Sequence, residues 1–463
     1  MDKQDLISRL EEIVGPENVL SSDMDLELYS YDASLDKARP DVVVLPGSTE
    51  EVSDVVTLAY AEKIPIIGRG SGTNLTGGTI PIRGGIIIHF SRMNRILELD
   101  IPNRTVTVEP GIINLDLQSR VLKEGFLYAP DPASQKISTL GGNFGENSGG
   151  PHCLKYGLTS NHILGAEIVL NDGTVIWTGG KSIDNPGYDL IGLFVGSEGT
   201  LGIATKLILK LIRVPEAVKT MLAIFETIED GANSVSEIIA EGIIPATLEM
   251  MDNIVMKAVQ KTIDVGFPLD AACVLIIELD GMRDGLEEKA SKIMDICQRN
   301  RVREFKIARD DAEREVLWTG RKGAFGAVGR VRPSYICCDG TVPRTKLPEA
   351  LSRVMEAGEK YNLPIGNVFH AGDGNLHPLI MFDERDPDEL ERVHKLGSEI
   401  LKICADLGGT ISGEHGVGLE KLKETHFIFC ETDLEFERRI KKTFDPTDIL
   451  NPGKLIPEPA CAP

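Results

Sequence analysis

Gly68-Arg69-Gly70-Ser71-Gly72-Thr73-Asn74-Leu75-Thr76-Gly77-Gly78 follows directly on the short apolar run Ile64-Pro65-Ile66-Ile67. Glycines at this density let the backbone turn sharply and present its N–H groups to an anion without obstruction by Cβ. The loop also limits which nucleotide-binding fold the chain can adopt. Leu75 stands where the Rossmann fingerprint has its third glycine, and no amphipathic helix is predicted after it. A Walker loop fails too, since no Gly-Lys-Ser/Thr occurs. Two readings stay open at this point: a phosphate cradle on another architecture, or a structural turn.

At 463 residues the chain exceeds one hydrophobic core, which predicts two to four domains. A net charge of −22 disfavours nucleic acid, whose phosphates need a basic face. The eight cysteines include no C-x-x-C pair, so neither a zinc ribbon nor an iron–sulfur cradle is expected, and scattered reduced thiols fit a cytoplasmic protein. Residues 1–18 are charged and amphipathic with no signal-peptide core, and no apolar run is long enough to span a bilayer.

Asp41–Pro46 reads as a buried strand, and Val52, Val55, Val56 and Ala59 recur at helical spacing after it. Asn171-Asp172-Gly173-Thr174 between two apolar runs is a hairpin signal. Near Val214-Pro215 the glycine density falls, and helical stretches such as 231–241 and 285–300 alternate with strands such as 273–278. That alternation predicts an α+β domain with helices on one face of an antiparallel sheet. The expected divisions are a helical segment at 1–36, a domain at 37–215, a second at 216–425, and a C-terminal segment at 426–463.

More loops follow the first in order: Pro130-Asp131-Pro132-Ala133-Ser134, Thr139-Leu140-Gly141-Gly142-Asn143, Asn147-Ser148-Gly149-Gly150, and Val195-Gly196-Ser197-Glu198-Gly199-Thr200-Leu201-Gly202-Ile203. Together they resemble the FAD-binding domain of the vanillyl-alcohol oxidase/p-cresol methylhydroxylase (PCMH) superfamily over residues 37–215. The resemblance implies that Arg69, Gly70, Ser71, Gly72, Thr73 and Asn74 serve the FAD pyrophosphate, with Gly77 also in the cofactor-binding set. It assigns Pro130, Asp131, Ser134, Thr139, Gly142, Asn143, Asn147, Gly150, Glu198 and Ile203 to the rest of FAD. Thr73 stands where some relatives carry a histidine linked to the flavin, so non-covalent FAD is expected.

His370-Ala371-Gly372-Asp373-Gly374-Asn375-Leu376-His377 and Gly413-Glu414-His415-Gly416 place three of the chain's eight histidines in two short loops. His370, His377 and Glu414 offer two nitrogens and one oxygen, suited to Zn²⁺, Mn²⁺ or Fe²⁺. Such an ion would lower the pKa of a bound substrate hydroxyl, and His415 would take its proton. Arg321 reads as the clamp for a substrate carboxylate, with Arg330 and Lys322 as weaker candidates. With Leu317–Lys322, Asp339-Gly340-Thr341-Val342-Pro343 and Asn451-Pro452-Gly453-Lys454, these loops resemble the FAD-linked D-2-hydroxy-acid dehydrogenases, of the glycolate oxidase flavoprotein subunit and D-lactate dehydrogenase type.

That resemblance implies an α+β protein: a two-subdomain PCMH-type FAD domain, then a ferredoxin-like substrate domain of antiparallel sheet and helices. It implies hydride transfer to FAD N5, and a C-terminal segment that returns to the flavin through Asn451. Electrons would pass to an iron–sulfur subunit, an electron-transfer flavoprotein or a quinone chain, from a cytoplasmic enzyme or one peripheral to a membrane through its partner. Relatives acting on 2-hydroxyglutarate carry a lysine where this chain has Cys337 and an asparagine where it has Leu379. The expected substrate is therefore a small D-2-hydroxy acid, D-lactate or glycolate. The alternatives are 2-hydroxyglutarate oxidation and a redox-neutral transferase like alkylglycerone-phosphate synthase.

Overall fold

Runs of β-branched residues without polar alternation make strands covered on both faces. Val42–Val44 and Ile86–His89 show this in the first of two units, which comprises Met1–Gly149, Gly157–Val214 and Glu414–Pro463. The computed structural model describes residues 1–182 and 186–459, so Cys461 lies outside the described residues. The two strands run parallel, with Ile66–Arg69 parallel on the far side of Ile86–His89 and Val19–Leu20 antiparallel at the other edge. Val42, Val44, Ile66, Ile86 and Ile88 pack on the helices Lys3–Val14 and Thr49–Glu62, while Val43, Ile67 and Ile87 meet Leu26 on the opposite face.

A second sheet of the same unit has five antiparallel strands, in the order Ile96–Asp100, Thr105–Val108, Ile203–Lys210, Ile163–Val169, Val175–Gly179. The last two form a hairpin across 171–174, where Gly173 has φ +87°. The C-terminal segment joins the first sheet. Ile66 N–H donates to Ile449 carbonyl (2.7 Å), and Asn451 N–H donates back to Ile66 carbonyl (2.7 Å). Lys441, on the helix Glu431–Phe444, locks this return: its Nζ donates to the carbonyls of Thr200 (3.0 Å) and Leu450 (2.8 Å) and pairs with the fully buried Asp445 carboxylate (2.5 Å).

The second unit, Gly150–Tyr156 with Pro215–Gly413, is built on an antiparallel sheet. Its order runs Glu304–Ile307, Ala217–Phe225, Cys273–Gly281, Thr247–Asp252, Ile365–His370, Asn375–Leu376, Gly340–Thr341, with Pro378–Phe382 pairing both Ile365–His370 and Ser334–Cys337. Helices cover both faces, not the single face expected from the sequence. Cys273, Leu275 and Ile277 pack under the helices Ile228–Ala240, Leu286–Arg299 and Leu347–Tyr361, while Val274 and Ile276 pack under Asn253–Gln260 and Ala324–Val328. A central strand without polar alternation has no face to give to water, so a second helical layer has to close over it.

Lys441→Met would strand the Asp445 carboxylate among buried backbone. The expected cost is about 3 kcal/mol, the lower end for breaking a buried pair from one side, read as a lowered urea midpoint at pH 7. An unchanged midpoint would show that Ile449 and Leu450 hold the return by apolar packing alone.

Candidate flavin and metal sites

The glycine-rich loop leaves the strand Ile66–Arg69 as an irregular turn. Gly72 has φ +68°, and a Cβ at Gly70 would lie 2.2 Å from Thr139 Oγ1, so the two loops touch through the space a side chain would fill. Among the described residues, the N–H groups of residues 71–75 make no backbone–backbone hydrogen bond. Thr139 caps the helix Leu140–Glu146, and beside it Ser138 Oγ and Asn143 Nδ2 are shielded from solvent with no hydrogen-bond partner. Free backbone donors with uncommitted polar groups next to them fit a phosphate-bearing cofactor.

Several side chains assigned to FAD are committed inward. Arg69 is 5% exposed, and its guanidinium donates to Tyr31 carbonyl (2.7 Å) and Thr79 Oγ1 (3.2 Å). Burial lowers its pKa, an effect partly opposed by Asp32. It braces the loop, and the loop's backbone is what remains for the anion. Asn451 Nδ2 donates to the carbonyls of Gly78 (2.8 Å) and Glu198 (2.6 Å), and Asn147 Oδ1 accepts from Ser160 N–H (2.9 Å). Pro130 carbonyl accepts from Asn114 Nδ2 (3.1 Å), Ser134 carbonyl accepts from the N–H groups of Ile137 and Ser138 (2.8 Å each), and the Ile203 side chain lies in the core. Gly150 falls in the segment 150–156, which groups with the second unit.

Glu198, with φ +52°, accepts from the N–H groups of Val417 (2.7 Å) and Gly418 (2.9 Å). Thr76 holds the same stretch: its Oγ1 donates to His415 carbonyl (3.3 Å), and its carbonyl accepts from Leu419 N–H (2.7 Å). A Cβ at Gly416 would lie 2.6 Å from Glu146 Oε2 and 2.7 Å from Glu198 Oε1. Desolvation, then the charge of Glu198, pushes the Glu146 carboxyl well above the usual carboxylate range. Sequence reading did not single out Glu146 or Thr76.

In the second unit, His370 ends the strand Ile365–His370 and pairs with Asn375 across a turn in which Gly374 has φ +80°. The turn brings His370 and His377 together, with ring centroids 5.0 Å apart and edge to face. His370 Nδ1 lies 2.8 and 3.0 Å from the two oxygens of Glu249, a residue that sequence reading missed. His377 Nε2 lies 3.5 Å from Asp339 Oδ1. Asp339 Oδ2 in turn accepts from Ser412 Oγ (2.7 Å) and Gly413 N–H (3.1 Å). Arg321 is 3% exposed: its Nε donates to Glu249 Oε2 (2.8 Å), while its Nη2 is shielded from solvent and makes no hydrogen bond. Arg330 is exposed, as is Lys322, which lies over the Trp318 ring. Glu414 and His415 belong to the first unit.

Comparison with known proteins assigns the chain. The family described as FAD linked oxidases, C-terminal domain, matches residues 214–455, and the FAD binding domain family matches 40–179. The chain belongs to the FAD-linked oxidase family. It is similar to glycolate oxidase subunit GlcD of Escherichia coli strain K12, 41% identical over 99% of this chain and 92% of that protein, and of Bacillus subtilis strain 168, 43% identical over 99% and 98%. A D-lactate dehydrogenase of Anaerostipes hadrus is 32% identical over 97% of both chains. In fold it matches a substrate-bound p-cresol methylhydroxylase structure, with TM-score 0.82 and 18% identity over 97% of this chain and 96% of that one. The FAD-linked oxidase thus has the PCMH-type fold expected from its loops, and its cofactor is FAD. Among the described residues no helix is long and apolar enough to cross a membrane.

The raised Glu146 carboxyl has a consequence for stability. A carboxyl raised on folding contributes stability that is fully present below the unfolded pKa, about 4.3. That stability is lost as pH rises through the folded value, with a limiting slope of about 1.4 kcal/mol per pH unit. Glu146→Gln should flatten the decline in urea midpoint on the alkaline side. A wild-type profile already flat there would show Glu146 to be ionised.

Proposed function

We propose that this FAD-linked oxidase oxidises a small D-2-hydroxy acid, glycolate or D-lactate, to the 2-oxo acid. The reading is carried by the His370–His377 pair, backed by a carboxylate, in a chain of this family. Its full-length similarity to proteins named glycolate oxidase subunit and D-lactate dehydrogenase supports the substrate class. FAD, when bound, supplies a hydride acceptor at N5. A divalent ion on His370, His377 and Glu414 would supply Lewis acidity toward the substrate's hydroxyl and carboxylate. Glu414 is covalently joined to Gly413, whose N–H is held by Asp339 in the same unit as both histidines. His415 accepts the hydroxyl proton on a ring nitrogen.

Cys337 and Leu379 limit the size and charge of the substrate. These two positions, polar in relatives acting on 2-hydroxyglutarate, are cross-strand partners here, and both are buried in one apolar cluster. The Leu379 side chain has no donor, and the weak thiol donor of Cys337 is directed at the Cys338 carbonyl (3.5 Å), which favours a monocarboxylate. Electrons leave to a partner, and the relatives' description as a subunit supports a multi-protein complex.

Anaerobic addition of D-lactate or glycolate should bleach the flavin absorbance, chelation should abolish the bleaching, and a divalent ion should restore it. Absence of bleaching with every D-2-hydroxy acid would sink the proposal and favour a redox-neutral transferase. His415→Asn should retain FAD while slowing flavin reduction by about 10²–10⁴-fold. Reduction at the wild-type rate would remove His415 as the base. His377→Ala should lower bound metal and activity together, as read by elemental analysis beside the rate. Unchanged metal content would exclude His377 as a ligand.

A further inference from the structure

Glu249 lies in the middle of the strand Thr247–Asp252 and is the Cα partner of His370 in the neighbouring strand. Its side chain is 1% exposed, between those of Arg321 (4%) and His370 (7%). One carboxylate therefore serves two neighbours: Arg321, whose Nε donates to Oε2 (2.8 Å) with Nη2 at ion-pair distance (2.7 Å), and His370 through Nδ1. Arginine can only donate, and the carboxylate that faces it can only accept. His370 must then donate from Nδ1, which leaves the lone pair on Nε2.

We infer that Glu249 is the positioning residue that presents Nε2 of His370 to a metal ion, and that Arg321 fixes the direction of the hydrogen bond. The inference rests on the reading of His370 as a metal ligand. It gives Arg321 a role through Glu249 in addition to the direct substrate contact expected from the sequence, for which Nη2 makes no competing hydrogen bond. A carboxylate behind a ligating histidine sets its tautomer and ring orientation, and losing such a partner weakens metal binding on the order of 10–100-fold.

The chemistry of glutamine makes this testable without a large change of shape. A glutamine at 249 has one oxygen for two donors. Arg321 has no acceptor to offer in exchange, so it takes that oxygen and the amide NH₂ turns to His370. Nδ1 must then accept, the proton moves to Nε2, and the metal-facing lone pair is lost. Replacing Arg321 as well, by methionine, frees the glutamine oxygen to accept from Nδ1 again.

The experiment is a Zn²⁺ titration of the chelator-stripped flavoprotein against a chromophoric competitor, for wild type, E249Q and E249Q/R321M. The expected result is affinity tens-fold weaker in E249Q, on the order given above, and largely restored in the double variant. Equal affinity in wild type and E249Q overturns the inference. So does a double variant as weak as E249Q, because lost charge, and not a reversed hydrogen bond, would then be the cause. A wild type that binds no Zn²⁺ removes instead the reading of His370 as a ligand, and this inference with it. Should E249Q fail to retain flavin, nitrogen-15 spectra of histidine-labelled, metal-free wild type decide the matter, with His370 assigned by loss of its signal in H370N. Protonation at Nδ1 supports the inference, and protonation at Nε2 overturns it.

Discussion

Two carboxylates buried side by side in one sheet dictate how the second unit is assembled. Glu249 and Glu278 lie on neighbouring strands, at 1% exposure each, and a buried carboxylate is tolerable only with cations or donors around it. The helix Asp311–Lys322 supplies them at i, i+4 and i+7. Arg314 Nε (2.8 Å) and Trp318 Nε1 (2.9 Å) donate to Glu278, and Arg321 donates to Glu249. Thr220 Oγ1 adds a third donor to Glu278 at 2.6 Å. Burial alone would raise the Glu278 carboxyl, but hydrogen bonds from His152 and Arg314 and the charge of Arg314 hold it far below the usual range. The helix is thus docked at three positions of one face, by two guanidinium groups and one indole N–H, and the strand bearing His370 is set against the other side of Glu249.

The flavin half solves its anion problem in the opposite way. Its one arginine in the glycine-rich loop, Arg69, is spent on Tyr31 and Thr79 inside the domain. What the loop offers outward is backbone, and backbone donors suit a phosphate at no cost in side-chain entropy. The glycines that the sequence displays are there because neighbours crowd in: Thr139 at Gly70, Arg69 at Gly72, Asp36 and Leu419 at Gly77.

This division explains what could be read from the sequence. Glycine loops, apolar runs and the two histidine motifs are local patterns, so the flavin half, the PCMH-type fold and the His370–His377 pair were visible. The intramolecular partners of Arg69 and Arg321 were not legible, because a guanidinium's partner is a matter of tertiary contact: Tyr31 lies 38 residues from Arg69 and Glu249 lies 72 from Arg321. Glu249 was missed for the same reason, yet it left a signal. A lone glutamate in Thr-Leu-Glu-Met-Met-Asp, within a strand buried throughout, requires a partner wherever the fold places it. The second helical layer over the sheet was likewise implied by Cys273–Ile277, whose unbroken apolar run leaves no wet face.

The position of the proposed proton acceptor follows from the flavin loop itself. Residues 415–419 are not held by a helix or strand of their own but by Thr76 and Glu198, one from the glycine-rich loop and one from the loop that resembles a flavin contact. A Cβ at Gly418 would fall 2.1 Å from Thr76 carbonyl, and one at Gly416 would collide with both Glu146 and Glu198. Only glycine fits at these two positions, so the chain after His415 packs directly against Thr76, Glu146 and Glu198. The glycine-rich loop and the loop at 195–203 thus meet on one stretch of chain, Thr76 at the His415 carbonyl and Glu198 at the N–H groups of Val417 and Gly418.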